Sequence, residues 1–87
     1  MPTVLIQNGF QVRIRLPPRE HGPPHVHVFR DGGSVTILLP HAGRPIALRS
    51  VYRMRNPVIV SAVRLVEAHA ARLLTQWRKY HGDPDDQ

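Results

Sequence analysis

"HVHVFRDGGSVTIL", residues 25–38, alternates apolar and polar side chains on both sides of a turn signal. Successive side chains of a strand point to opposite faces, so this stretch predicts a half-buried hairpin. Val26 and Val28 fall on one face, with His25, His27 and Phe29 on the other. After the turn at Asp31-Gly32-Gly33, Val35, Ile37 and Leu39 return to the core face, and Ser34, Thr36 and Leu38 point away.

Toward the N-terminus, the same pattern occurs in "VLIQNGFQVRIRL", residues 4–16. Asn8-Gly9 is a strong hairpin pair, because both residues tolerate positive φ. Phe10, Val12, Ile14 and Leu16 then share one face, opposite Gln11, Arg13 and Arg15. Pro17 and Pro18 end the strand, since proline lacks a ladder donor and restricts the residue before it. Toward the C-terminus, "PHAGRPIALRSVYRMR", residues 40–55, fits either a short edge strand at Pro45–Leu48 or a helical turn from Leu48.

From residue 56 the period changes. Asn56 suits an N-cap and Pro57 the first helical position, where its missing N–H costs nothing. Ile59, Val63, Val66, Ala70, Leu73, Trp77 and Tyr80 recur at spacings of four and three, and Gly82 is a natural stop. The pattern predicts one helix roughly 36 Å long, at ~1.5 Å per residue. The expected fold is α+β: a three- or four-stranded antiparallel sheet packed by one long C-terminal helix. The domain spans residues 1–82 and is followed by an acidic disordered tail, 83–87. Val58, Val60, Leu65 and Leu74 lie off the main stripe. That surplus apolar surface, together with the free sheet edges, predicts a two-fold homodimer.

A chain of 87 residues without cysteine has neither disulfides nor a thiolate metal site to support a small core. Its N-terminus lacks a basic stretch followed by an apolar run, so no signal peptide is expected. No apolar run approaches the ~20 residues of a membrane span, and a cytoplasmic location is expected. Twelve Lys and Arg stand against six Asp and Glu, and three of those acids are Asp83, Asp85 and Asp86 in the tail. The body is therefore strongly basic, which suits a phosphate-rich partner or an acidic protein.

The chemistry-bearing segment is "EHGPPHVHV", residues 20–28. His25 and His27, at i and i+2, put two imidazoles on one strand face, roughly 6–7 Å apart at Cα. With His21 they are candidate catalytic groups. Imidazoles near neutral pKa can take a proton from a ribose hydroxyl and return one to a leaving oxygen. Arg13 and Arg15 would then stabilise charge developing on phosphorus. A second reading makes His25 and His27 half of a zinc, iron or nickel site, needing a further ligand from His21, Glu20, His41 or Asp31. Outside that reading no cofactor is expected. A third reading is a non-catalytic interaction module whose histidine face binds a protein. Arg49, Arg53 and Arg55, around Tyr52 and near Arg44, form a basic-aromatic patch suited to RNA.

Three segments together, "MPTVL…GFQVRI", "EHGPPHVHV" and "RLVEAHAARLLTQWRKYHG", resemble the small bacterial domain of unknown function numbered 4160. The resemblance covers about residues 1–82. The family signature falls on His21, Pro23, Pro24, His25, His27 and Val28. Where the family usually has Tyr-aromatic-Gly after its Trp, this chain has Tyr80-His81-Gly82. Family genes often lie beside those of another small domain, and the pair has been proposed as a toxin–antitoxin module. The resemblance thus implies a toxin-like protein with a cognate antitoxin-like partner from a neighbouring gene, acting on RNA or the translation machinery. It brings no assigned catalytic mechanism.

Overall fold

The computed structural model describes residues 1–17 and 22–82. His21, Glu20 and the acidic tail lie outside the described residues. Among the described residues, five strands form one antiparallel meander: β1 (Thr3–Gln7), β2 (Phe10–Arg13), β3 (His25–Arg30), β4 (Gly33–Leu38) and β5 (Ala47–Tyr52). Two helices follow, α1 (Asn56–Ala68) and α2 (Ala70–His81).

Two-residue turns set the meander. Asn8 and Gly9 (φ 54° and 80°) join β1 to β2, and Asp31 and Gly32 (φ 49° and 81°) join β3 to β4. Positive φ at both central residues is the type I′ geometry, whose twist matches that of the flanking strands. A third turn of this kind lies in the segment between β4 and β5, at Ala42 and Gly43 (φ 51° and 78°). There His41 and Arg44 exchange backbone hydrogen bonds of 3.1 and 2.9 Å. Gly33, just after the second turn, is needed for a different reason. A Cβ there would overlap the Arg53 carbonyl, where the end of β5 closes on β4.

The sheet has five strands, against an expectation of three or four, and the extra strand is β5. Its turn was hidden because alanine rarely adopts positive φ. The strand is exposed at all six positions, so burial imposes no apolar alternation on it. A bulge opposite Thr36 and Ile37 leaves Arg49 as the extra residue between Leu48 and Ser50.

Burial follows the strand period through most of the sheet. Phe10, Val12, Ile14, Val26, Val28, Val35, Ile37 and Leu39 form one core with Leu5, Ala62, Leu65, Val66, Leu73 and Trp77. Leu16, expected on this face, is exposed, because β2 ends at Arg13 and its alternation lapses beyond Ile14. Leu65, expected as surplus, is buried; Val58 and Leu74 pack partly against the core, and Val60 remains exposed.

The single long helix is in fact two. His69 leaves helical geometry (φ −116°, ψ 18°), and its N–H is shared between the carbonyls of Leu65 and Val66, both at 3.2 Å. The ladder resumes with Leu73 N–H donating to His69 O at 2.9 Å. This one-residue break redirects the buried stripe, which runs through Ala62, Leu65 and Val66 before it and Leu73 and Trp77 after it. Neither proline nor glycine marks it, so spacing alone conceals it. Asn56 is the first helical residue instead of the cap; Arg55, in extended geometry, holds the cap position without a side-chain hydrogen bond.

The C-terminal end of α2 is tied back to the sheet. Trp77, 1 % exposed, stacks on His81 with centroids 4.4 Å apart. His81 Nε2 donates to the Arg15 carbonyl at 2.6 Å, just beyond β2. No helix among the described residues is long and apolar enough to cross a membrane.

The Ala42 backbone strain gives a direct test. Left-handed geometry costs an L-residue about 1–2 kcal/mol, partly offset by the unfolded-state entropy of the glycine that replaces it. Ala42→Gly is therefore expected to raise stability by about 0.5–1 kcal/mol, read as a higher urea midpoint with unchanged slope. A lowered midpoint would contradict the turn geometry.

Candidate functional site

The alternation that sends Val26 and Val28 into the core puts His25, His27 and Phe29 on the sheet face away from the core helices. Register then fixes their neighbours. Arg13 of β2 pairs with His27 of β3, which pairs with Thr36 of β4, which pairs with Ser50 of β5. One row along, Gln11, Phe29, Ser34 and Tyr52 line up in the same order. Members of this face are absent from the apolar core cluster. It is the wet face of an antiparallel sheet.

The two histidines sit differently on it. His25 is 2 % exposed and donates from Nδ1 to the Pro23 carbonyl at 2.9 Å. A neutral ring held this way carries its lone pair on Nε2. Pro24 is also fully buried, and its carbonyl accepts the Leu39 N–H at 2.9 Å, extending the β3–β4 ladder by one bond. The two prolines thus lock the ring backbone at the head of β3, and proline is tolerated there because only its carbonyl is used. His27 is half-buried, and its Nδ1 lies 3.2 Å from Thr36 Oγ1. The two rings meet edge to face, with centroids 5.3 Å apart.

Arg13 completes the cluster. Its Nη2 donates to Gln11 Oε1, and its guanidinium lies over the Phe29 ring at 5.0 Å. Its Nε is buried without a hydrogen-bond partner. The side chain is therefore held in place by Gln11 and Phe29, with its buried Nε unsatisfied at some cost.

Of the other expected groups, Arg15 lies beyond the end of β2 and meets His81 through its carbonyl. Arg49 occupies the β5 bulge, Arg53 (φ 50°) follows β5 with its guanidinium 5.4 Å from the Tyr52 ring, and Arg55 caps α1. The structure thus joins Arg13, His25 and His27 and keeps Arg49, Arg53 and Arg55 at the far edge. His41, in the Ala42-Gly43 turn, and Asp31, in the turn at the opposite end of β4, do not approach each other. Among the described residues no group of three His, Cys, Asp or Glu could hold a metal ion. Gln11 and Thr36 belong to the cluster and went unnoticed in the sequence. Their outward positions were legible, but cross-strand register was not.

The burial difference predicts different costs of truncation. His25→Ala leaves the Pro23 carbonyl without its donor and opens a void, an expected loss of about 1–3 kcal/mol. His27→Ala is expected to cost less. Urea midpoints of the two variants check the order; equal midpoints would contradict the assignment of His25 as the anchored ring.

The model of the family described as Domain of unknown function (DUF4160) matches residues 9–78. No curated protein and no solved structure matches the chain. The matched span runs from the β1–β2 turn through Trp77 and contains the Arg13–His25–His27 cluster, and by that match this protein belongs to the DUF4160 family.

Proposed function

We propose that this protein is a toxin-like component of a bacterial toxin–antitoxin-type module, and that it engages RNA through the open sheet face. One observation carries the reading: Arg13, held by Gln11 and Phe29, stands directly across the ladder from His27. A fixed guanidinium beside an imidazole is a phosphate-recognising pair, and the basic body supplies the long-range attraction. In this reading Arg13 binds the phosphate and His27 exchanges a proton with a ribose or leaving oxygen. His25 lies behind His27 and orients it. His21, in the same signature, is a further candidate for the second proton. The basic residues Arg15, Arg49, Arg53 and Arg55 extend the phosphate contacts beyond the central rows.

The test is induced expression in a bacterial host, paired with RNA binding in vitro. Growth arrest is expected for the native chain. Its loss is expected in Arg13→Ala and His27→Ala, with the proteins still soluble and folded. RNA affinity should fall steeply with added salt, as for any phosphate-led contact. Normal growth alongside abundant soluble native protein would overturn the proposal.

A partner is part of the same reading. Among the described residues β5 is an edge strand, and it carries the exposed apolar residues Leu48 and Val51 and the bulged Arg49. An acidic antitoxin-like segment or a second copy could add a strand there. The homodimer is checked by light scattering of the isolated chain at about 10 µM, a concentration above the dissociation constant of most stable dimers. A monomer at that concentration would leave the edge to a different protein.

A further inference from the structure

Beside the Arg13–His27 pair lies a second feature of the same face. Phe29 and Tyr52 both pair with Ser34, one from β3 and one from β5, so the two rings stand two strands apart with a small residue between them. At ~4.8 Å per strand, their backbones are roughly 9.6 Å apart. A planar ring centred between them would lie about 4.8 Å from each, inside the ~4.5–7 Å range of aromatic stacking. Gln11, Phe29, Gly33, Ser34 and Tyr52 line a cavity of about 350 Å³ at this point. That size falls at the lower end of small-ligand pockets, ~300–1,000 Å³.

The chemistry of the walls matches the shape. Phe29 carries the Arg13 guanidinium at 5.0 Å and Tyr52 the Arg53 guanidinium at 5.4 Å, so each aromatic wall is paired with a cation. Gln11 gives its Oε1 to Arg13, which leaves its amide N–H groups to donate. The Ser34 hydroxyl can donate or accept. Along β3, Phe29 and His27 are alternate residues on one face, ~6.6 Å apart. A base in the cavity therefore has its own backbone within reach of Arg13 and His27.

We propose that this cavity is a base-stacking subsite, in which Phe29 and Tyr52 sandwich one unpaired base of a single-stranded RNA. Gln11 and Ser34 read the edge of that base, and the adjoining phosphate lies over Arg13 and His27. The proposal rests on the reading of the open face as an RNA surface and adds to it a substrate class, unpaired rather than duplex RNA. Duplex RNA cannot supply such a base without unstacking it. Stacking on an open sheet is also tolerant of sequence, so discrimination among bases falls to Gln11 and Ser34.

Tyr52 is 57 % exposed, which makes it the residue to vary without disturbing the core. The probe is a short single-stranded RNA carrying one 2-aminopurine, whose fluorescence is quenched on stacking. Native protein is expected to quench it, Tyr52→Phe to retain the quenching, and Tyr52→Ala to abolish it and weaken binding about five- to 150-fold. Unchanged quenching and affinity in Tyr52→Ala would overturn the subsite while leaving the phosphate surface standing. A second measurement separates the two claims from the other side. Nucleoside monophosphates titrated into the native protein should shift the amide resonances of Gly33, Ser34 and Tyr52. Such shifts in a protein that does not arrest growth would keep the subsite and remove the toxin reading. Absence of both the shifts and the quenching would remove the subsite.

Discussion

Closure of one apolar sheet face by Trp77 is the interaction on which the rest of the structure depends. The inner faces of β2, β3 and β4 present valine, isoleucine and phenylalanine, and without cysteine nothing covalent holds a cover over them. Ala62, Leu65 and Val66 of α1 supply part of that cover, and Leu73 and Trp77 of α2 complete it after His69 breaks the helix and redirects its stripe. The contact is secured at its far end by the Trp77–His81 stack and the hydrogen bond from His81 to Arg15. That bond joins residues 66 positions apart and fixes the chain where it leaves β2. The outgoing segment then leads to the Pro-Pro-His signature, so the core closure also positions the functional face.

The functional face is the other half of the same constraint. Strand period two leaves no freedom: once Val26 and Val28 are inside, His25, His27 and Phe29 must be outside. A one-residue slip in β3 would turn two imidazoles toward the apolar core and two valines away from it, so the core itself enforces the register that sets His27 against Arg13. The site is therefore held by ladder hydrogen bonds on both sides, not by a loop. Elements of this kind hold side chains more precisely than loops do.

Much of this was legible in the residues, for reasons that also explain what was not. Val26, Val28, Val35 and Ile37 announced a hairpin because one wet and one dry face force alternation. Asn8-Gly9 and Asp31-Gly32 announced turns because those residues accept positive φ cheaply. Ala42-Gly43 has the same backbone geometry without the same residue type, so the third turn passed unread, and β5 was legible only as one of two alternatives, a shorter edge strand at Pro45–Leu48. The helix break passed unread because His69 accepts helical and non-helical geometry alike. At the site, the shared face of His25 and His27 followed from period two. The anchored state of His25 did not, since it depends on the Pro23 carbonyl folding back onto the ring. The pairing of Arg13 with His27 needed the β2–β3 register, which no local pattern encodes across the intervening segment.

The meander has a consequence for how the chain acquires its structure. Every strand pairs only with its neighbours in sequence, and two of the four connections are two-residue turns. Contacts so local carry a low loop-closure cost and favour rapid pairing. During synthesis the sheet can therefore assemble hairpin by hairpin as the chain emerges, with β5 complete before α1 begins. Its apolar face is covered first by Ala62, Leu65 and Val66 of α1, and the cover is completed only when Leu73 and Trp77 of α2 are available. For that interval the nascent sheet exposes valines and isoleucines next to an open strand edge, the kind of surface that chaperones bind and that aggregates. A premature stop before Trp77 would prolong that state, leaving a paired sheet covered only in part.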